Sequence, residues 1–248
     1  MRDEDVPSTK HSENVSEDYG DNPEDYDPDE FEHPSVTVDD IIFTIKDDDL
    51  KIALIKRKRW PFESKWALPG SFVDMDESLE DAAERTLQNK TGVSDDVYME
   101  QLYTFGEPDR DPRTRVITVG YFALVQSDDV ELQETEDVEA IEWHSVYDLP
   151  DLGFDHEEII EYSLKRLKWK IEYSTAAFSL LPEKFTLSQL QNVYEIILDK
   201  ELDKRNFRKK IHKHDLVEET GEREKNVSHR PAKLYRTNKN IGEIVEIL

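Results

Sequence analysis

Residues 77–93 read ESLEDAAERTLQNKTGV. The run predicts one helix, Ser78–Lys90, stopped by a glycine at 92, the residue that most easily takes the left-handed turn past a helix end. Within it Glu80 and Glu84 share a face at i, i+4. Strands are expected on either side. VTVDDIIFTI and LKIALIKRKR flank the acidic turn KDDD as a hairpin, and VYMEQLYTF, RVITVGYFALV and VEAIEWHSV supply three more. A second helix, HEEIIEYSLKRLKWKIEY, follows the last of them. Strands surrounding two helices in about 140 residues predict an α+β sandwich with helices on the sheet faces.

Beyond it, the charge changes sign and a proline interrupts STAAFSLLPEKF, which places a domain boundary there. Leu187, Leu190, Tyr194 and Ile197 then recur at helical spacing behind a capping box, Thr186 with Gln189. A further helix, KRNFRKKIHKHD, turns Phe207 and Ile211 inward, with Lys204, Arg205, Arg208 and Lys209 pointing elsewhere. A polar stretch leads to RPAKLYRTN, a short strand. The expected domains are an acidic tail over 1–34, a sandwich over 35–174 and a helical, strand-ended domain over 175–248.

The chain of 248 residues carries a net charge of −26, unevenly spread. Residues 1–40 hold −13 and residues 41–181 hold −15, whereas residues 182–240 hold +4. Local potential, not the total, governs association with nucleic acid. The tail has three prolines in its first 30 residues, little aliphatic content and heavy negative charge, and is expected to be disordered. It is a solvated tail, an arm competing with DNA for the basic segment, or the mark of a salt-adapted proteome. With no cysteine there is no disulfide, thiolate metal site or thiol nucleophile. No apolar run approaches the roughly 18 residues of a membrane span, and the start lacks a secretory pattern, so the expected location is the cytoplasm, away from membranes. No resident cofactor is expected.

Residues 71–93 resemble the signature of the Nudix family. Aligned on Arg85 and Gly92, Ser71 takes the place of the first glycine, and Glu77, Leu87 and Val93 occupy scaffold positions. WALPGSFV and TFGEPDRDPRTRVITVGYFALV resemble the branch that handles ADP-ribose and related compounds, over roughly residues 36–150. In active members three helix glutamates hold the divalent ions that bind pyrophosphate and activate water, which requires clustered carboxylates. Here those positions carry Thr86, Asn89 and Lys90. The local charge changes from −3 to +1, so no metal site and no catalytic residues are expected. His212 and His214, two apart on a helix, face different ways and do not chelate.

A cleft without its metal still binds. The effector-site residues expected are Arg59, Trp66, Phe72, Glu77, Asp109, Arg110, Asp111 and Arg113. Arg110 and Arg113 would grip phosphate or carboxylate, Asp109 or Asp111 would accept from sugar hydroxyls, and Trp60, Trp66 and Phe72 would stack on a base or sugar. The alternative is that the aromatics are core and the loop a charged hairpin.

FTLSQLQNVYEIILDKELDKRNFRKKI, ending in RPAKLYR, resembles the C-terminal winged helix of the Nudix-related transcriptional regulators. That resemblance covers about residues 36–240 and implies a Nudix-like α/β/α sandwich followed by a winged helix-turn-helix. It implies control of NAD cofactor synthesis or sugar catabolism, with VYMEQLYTFGEPDRDP nearest the arabinose-responsive type. Residues 204–213 hold six lysines or arginines and no acid, as a helix laid in the major groove requires. Lys204, Arg205, Asn206, Arg208 and Lys209 are expected at the DNA, with Lys210, Lys213, Arg230 and Lys233 on phosphates, and with Arg236 beside Arg230 and Lys233 on the wing. The expected partners are double-stranded operator DNA, a sugar or ADP-ribose-like effector, and a second copy of the chain, since dimers suit two-fold half-sites. Two other readings stand: a Nudix hydrolase of ADP-ribose or a related diphosphate, and a non-catalytic module that assembles with a protein partner.

Overall fold

The sheet is organised around one long strand, β1 (Ser35–Lys46), in a computed structural model that describes residues 27, 31–92, 97–127, 130, 132–136, 138–225, 228 and 230–248. The acidic tail expected over 1–34 lies almost wholly outside the described residues, as does Val93. β1 turns into β2 (Asp49–Arg57) through Asp47 and Asp48, both left-handed with φ of 56° and 55°. That is the geometry of a tight hairpin turn, and aspartate is among the few residues that tolerate it. One edge of β1 is shared: residues 43–46 pair with β2, and residues 37–39 with β4 (Gly70–Phe72). The other edge runs parallel to β6 (Val116–Leu124), whose outer side is closed by antiparallel β5 (Tyr98–Phe105). β2 also pairs with β3 (Trp66–Ala67) and with β7 (Val138–Ser145), completing a seven-stranded mixed sheet.

β1 is buried on both faces because each is covered by a helix, which is why its apolar run is continuous rather than alternating. On one face lies α1 (Leu79–Thr91). Its Ala82 and Ala83 pack on Val38, Val119 and Tyr121, and its Leu87 joins Ile42 and Ala123. A Ser78–Asp81 capping box starts α1, and left-handed Gly92, φ 68°, ends it. On the opposite face α2 (His156–Tyr173) sets Ile159 and Ile160 against Ile41, Phe43, Ile52 and Leu54. The result is the expected α/β/α sandwich.

The segment read as a boundary is not an exposed linker. Thr175–Leu180 forms a short 3-10 helix whose Ala176, Ala177 and Phe178 are buried, and Leu181 and Phe185 are buried after it. The same apolar cluster that holds Ile41 and Leu54 continues through Phe178 to Leu190, Tyr194 and Phe207. The chain from 34 to 248 accordingly forms one compact unit. α3 (Leu187–Leu198) begins at the Thr186–Gln189 capping box and stops at left-handed Asp199. α4 (Lys204–Lys213) is capped by Asp203, whose carboxylate accepts from the Asn206 N–H at 2.8 Å. β8 (Val217–Arg223) and β9 (Lys233–Thr237) then pair as an antiparallel hairpin. β8 falls in the stretch read as merely polar. It has a buried side chain only at Val217, so no alternation marks it. No described helix is long and apolar enough to cross a membrane.

Candidate functional site

A cavity of about 430 Å³ opens where the end of β2, the β3–β4 segment, the 106–115 loop and the start of α2 meet. Its lining includes five cationic side chains, Arg57, Lys58, Arg59, Arg110 and Arg113, against two carboxylates, Asp39 and Asp111. A surplus of three positive charges is thus gathered in a chain whose net charge is −26. Three aromatic rings, Trp60, Phe72 and Phe154, share the lining. The Arg113 guanidinium lies 5.3 Å from the Phe72 ring and 5.9 Å from the Phe154 ring, and that of Arg57 lies 4.9 Å from Phe154. Cations over ring faces leave flat, apolar surfaces beside positive charge, the combination that a base bearing a diphosphate requires. Gly70 is needed here, because a Cβ at that position would lie 2.3 Å from the Asp39 carboxylate.

The floor is an ionic network. Arg110, expected to hold the ligand, is buried and forks onto Asp155, with Nε–Oδ2 at 2.8 Å and Nη2–Oδ1 at 2.7 Å. Its Nη2 also stands 3.4 Å from Asp39 Oδ2. His156 accepts the Leu68 N–H on Nδ1 at 2.8 Å, stacks on Phe154, and faces Asp39 across 3.8 Å. Burial holds its imidazole below the ordinary range, so it is neutral near pH 7. Arg113 is likewise engaged, donating to Asp111 through Nε at 3.0 Å and Nη2 at 2.6 Å. Burial pushes the Asp111 carboxyl up, but the hydrogen bonds and charge of Arg113 outweigh it and hold it below the usual value.

Of the expected effector residues, Arg59, Phe72, Arg110, Asp111 and Arg113 line this cavity, as does Trp60, 69% exposed at its mouth. Three do not. Trp66 packs into the core and meets His144 edge-on, with ring centroids 4.3 Å apart, because β3 turns it away from the opening. Asp109 points into solvent at the tip of its loop. Glu77 is held by Arg85 at 2.5 and 3.0 Å, and these bonds keep its carboxyl below the usual range. Arg57, Lys58, Phe154 and His156 were missed by sequence reasoning. The run RKRW signals the first two, but Phe154 and His156 come from a segment nearly a hundred residues away.

On α1 the three positions of the metal-binding glutamates do other work. Thr86 is buried, sharing a 2.7 Å hydrogen bond with Ser71 and donating to the Ala82 carbonyl. The Lys90 ammonium is drawn to Thr135 at 2.5 Å, and Asn89 is exposed. Glu80 and Glu84 are solvated. No cluster of three or more metal-ligating side chains occurs among the described residues.

The second candidate surface is α4. Phe207 and Ile211 are buried, Phe207 edge-on to Tyr194 with centroids 5.3 Å apart. Lys204, Arg205, Asn206, Lys209, Lys210 and Lys213 are exposed, and among the described residues none of these cations is in an ion pair. Arg208 is half-buried and donates to Ser188 at 3.2 Å. Arg230 is exposed ahead of β9. On the wing strand β9, unlike α4, the two cations are matched: Lys233 pairs with Glu219 at 2.8 Å, and Arg236 with Glu218.

Fold and sites together define a sandwich with a cationic, aromatic-lined cleft joined to a winged helix with a cationic helix face. The NUDIX domain family matches residues 35–163, and the NrtR DNA-binding winged helix domain family matches residues 177–237. The chain belongs to the Nudix-related transcriptional regulators. It is 40% identical over 215 residues to the "ADPR responsive transcriptional repressor NtrR" of Acinetobacter baylyi, covering 85% of each chain. It resembles the crystal structure of Shewanella oneidensis NrtR complexed with a 27mer DNA, with a TM-score of 0.73, 38% identity and coverage of 82% of this chain and 93% of that one. The NUDIX domain of the same Shewanella protein, in a cocrystal with ADP ribose, matches at 40% identity with a TM-score of 0.51, covering 57% of this chain and 94% of that one.

Proposed function

We propose that this protein is an ADP-ribose-responsive repressor: a homodimer that holds operator DNA through α4 and binds ADP-ribose in the β2–α2 cleft without hydrolysing it. One observation carries the effector assignment, the concentration of five cations and three aromatic rings in a single cleft of an otherwise acidic chain. The names of the relatives point the same way. Arg57, Arg59 and Arg113 would face the diphosphate, Trp60 and Phe72 would sandwich the adenine, and Asp39 would accept from a ribose hydroxyl. Thr86, Asn89 and Lys90 leave no carboxylate cluster to carry a divalent ion to the pyrophosphate, which supports binding without turnover. The DNA assignment rests on the unpaired cations of α4, which make phosphate contact available without breaking an existing ion pair.

Titration calorimetry of the full chain with ADP-ribose, alone and with Mg²⁺, tests this reading. Saturable binding with no release of AMP over hours is the expected result. Mg²⁺-dependent AMP release that Glu77→Gln abolishes would replace it with the hydrolase reading.

A further inference from the structure

Three of the four α-helices among the described residues start with a side-chain cap: Ser78 accepts from Asp81 N, Thr186 from Gln189 N and Asp203 from Asn206 N. α2 does not. Asp155 stands at its cap position but caps nothing: with φ −94° and ψ 21° it lies outside the extended conformation of a cap, and its carboxylate turns to Arg110 instead, one oxygen to Nε and the other to Nη2. Aspartate is among the best N-caps, so its carboxylate has a competing use within reach. Arg110 meanwhile is shared between two carboxylates, Asp155 and Asp39, on the floor of the effector cleft. A phosphate entering the cleft would compete with these carboxylates for the guanidinium, whose fork its oxygens fit as well as a carboxylate does.

We propose that the Arg110–Asp155 pair is a switch: an effector phosphate takes Arg110, and the released Asp155 caps α2, re-seating that helix against the DNA-binding helices. The inference rests on the ADP-ribose reading of the cleft. α2 runs about 27 Å from the cleft at the rise of a regular helix. It packs against α3 and the 3-10 helix. At its far end the Glu172 carbonyl accepts from Ile247 N at 2.7 Å and Leu248 N at 3.1 Å, tying it to the chain's last residues. Its Lys168 lies over the Tyr147 ring, whose hydroxyl donates to the Ile196 carbonyl of α3 at 3.2 Å. Tyr194 of α3 in turn supports Phe207 of α4. A small rotation at the start of α2 therefore has a packed route to the cationic helix face.

Asp155→Asn tests the switch, since asparagine caps helices as well as aspartate but cannot hold a guanidinium by charge. Asp155→Ser, a second uncharged cap, covers the case in which the first variant folds poorly. The readouts are ADP-ribose affinity by calorimetry and affinity for a duplex selected from random-sequence DNA by the parent protein, with and without ADP-ribose. Without ligand, the variants should bind that duplex as the ADP-ribose-bound parent does. They should also bind ADP-ribose at least about threefold tighter, and the factor by which ADP-ribose changes DNA affinity should fall toward one. A coupling factor equal to the parent's in both variants, with ADP-ribose affinity unchanged, overturns the switch, and a lowered melting temperature alone would mark the pair as structural. A parent protein whose DNA affinity ignores ADP-ribose overturns the functional reading, and the switch with it.

Discussion

Truncating Phe207 to alanine should remove DNA binding while sparing the effector cleft. The ring is 2% exposed and meets Tyr194 edge-on at 5.3 Å, so its loss costs transfer and cavity energy of about 3–5 kcal/mol. α4 has little to set against that. Ile211 is its only other buried residue. The like-charged i, i+4 pairs Lys204–Arg208, Arg205–Lys209 and Lys209–Lys213 each oppose the helix by about 0.2–0.5 kcal/mol, roughly cancelling the ~1 kcal/mol from the Asp203 cap. A helix so balanced detaches once its larger anchor is gone. With about 3 kcal/mol lost, operator affinity should fall about 100-fold, while ADP-ribose affinity, read by calorimetry, stays within about threefold. Anisotropy on the selected duplex, with circular dichroism to confirm folding and Phe207→Leu as a packing control, makes the comparison. An unchanged DNA affinity in a folded Phe207→Ala protein would refute the assignment of α4 as the DNA-contacting element.

Three further outcomes are expected. Trp60→Ala, at an exposed position where the fold loses little, should weaken ADP-ribose about tenfold or more if the indole stacks on the adenine, and leave ligand-free DNA affinity unchanged. Asp40 is fully buried beneath α1 with no hydrogen-bond partner for either oxygen among the described residues, and burial, reinforced by Asp39, pushes its carboxyl well above 3.8. A raised folded pKa means stability that is complete below about 3.8 and lost as pH rises through the folded value. Asp40→Asn should therefore be more stable than the parent at pH 8 by about 1–3 kcal/mol, an advantage that shrinks toward pH 4; thermal melts showing no gain, or one independent of pH, would contradict this. Lys209→Ala should lower the slope of log affinity against log salt by about 0.9 per bound protomer, and Lys233→Ala by less, because Lys233 already shares its charge with Glu219; anisotropy across a salt series reads both.

The helices were legible from two kinds of signal, punctuation and apolar spacing. α1 ends at Gly92, α3 opens with Thr186 and Gln189, and α2 and α4 follow from apolar spacing. The long strands were legible as apolar runs. What escaped was structure decided by partners far along the chain. β3 and β4 are two and three residues long and exist because β2 and β1 offer edges to pair with. β8 is polar because it forms a two-stranded wing with little to cover it. The proline and the charge change marked where one segment gives way to the next, but not that Phe178 and Phe185 carry one apolar core across it. At the cleft, residue types pointed to a loop that lines it but not to the ion pairs made there. Arg110 and Arg113 were expected to grip a ligand, and the structure shows both already holding carboxylates: Asp111 is Arg113's neighbour two residues away, whereas Asp155 reaches Arg110 only through the fold. Trp66 and Phe72 sit six residues apart in similar surroundings, and it is the turn between β3 and β4 that sends one inward and the other to the cleft.

The most direct test is fluorescence anisotropy at physiological salt on DNA from upstream of the protein's own gene and on a scrambled duplex of equal length, each titrated with and without ADP-ribose. The account predicts a preference for the upstream DNA of about a thousandfold or more, and a shift in that affinity, but not in the scrambled baseline, when ADP-ribose is added. Equal affinity for both duplexes, or a preference that saturating ADP-ribose leaves unmoved, would contradict it.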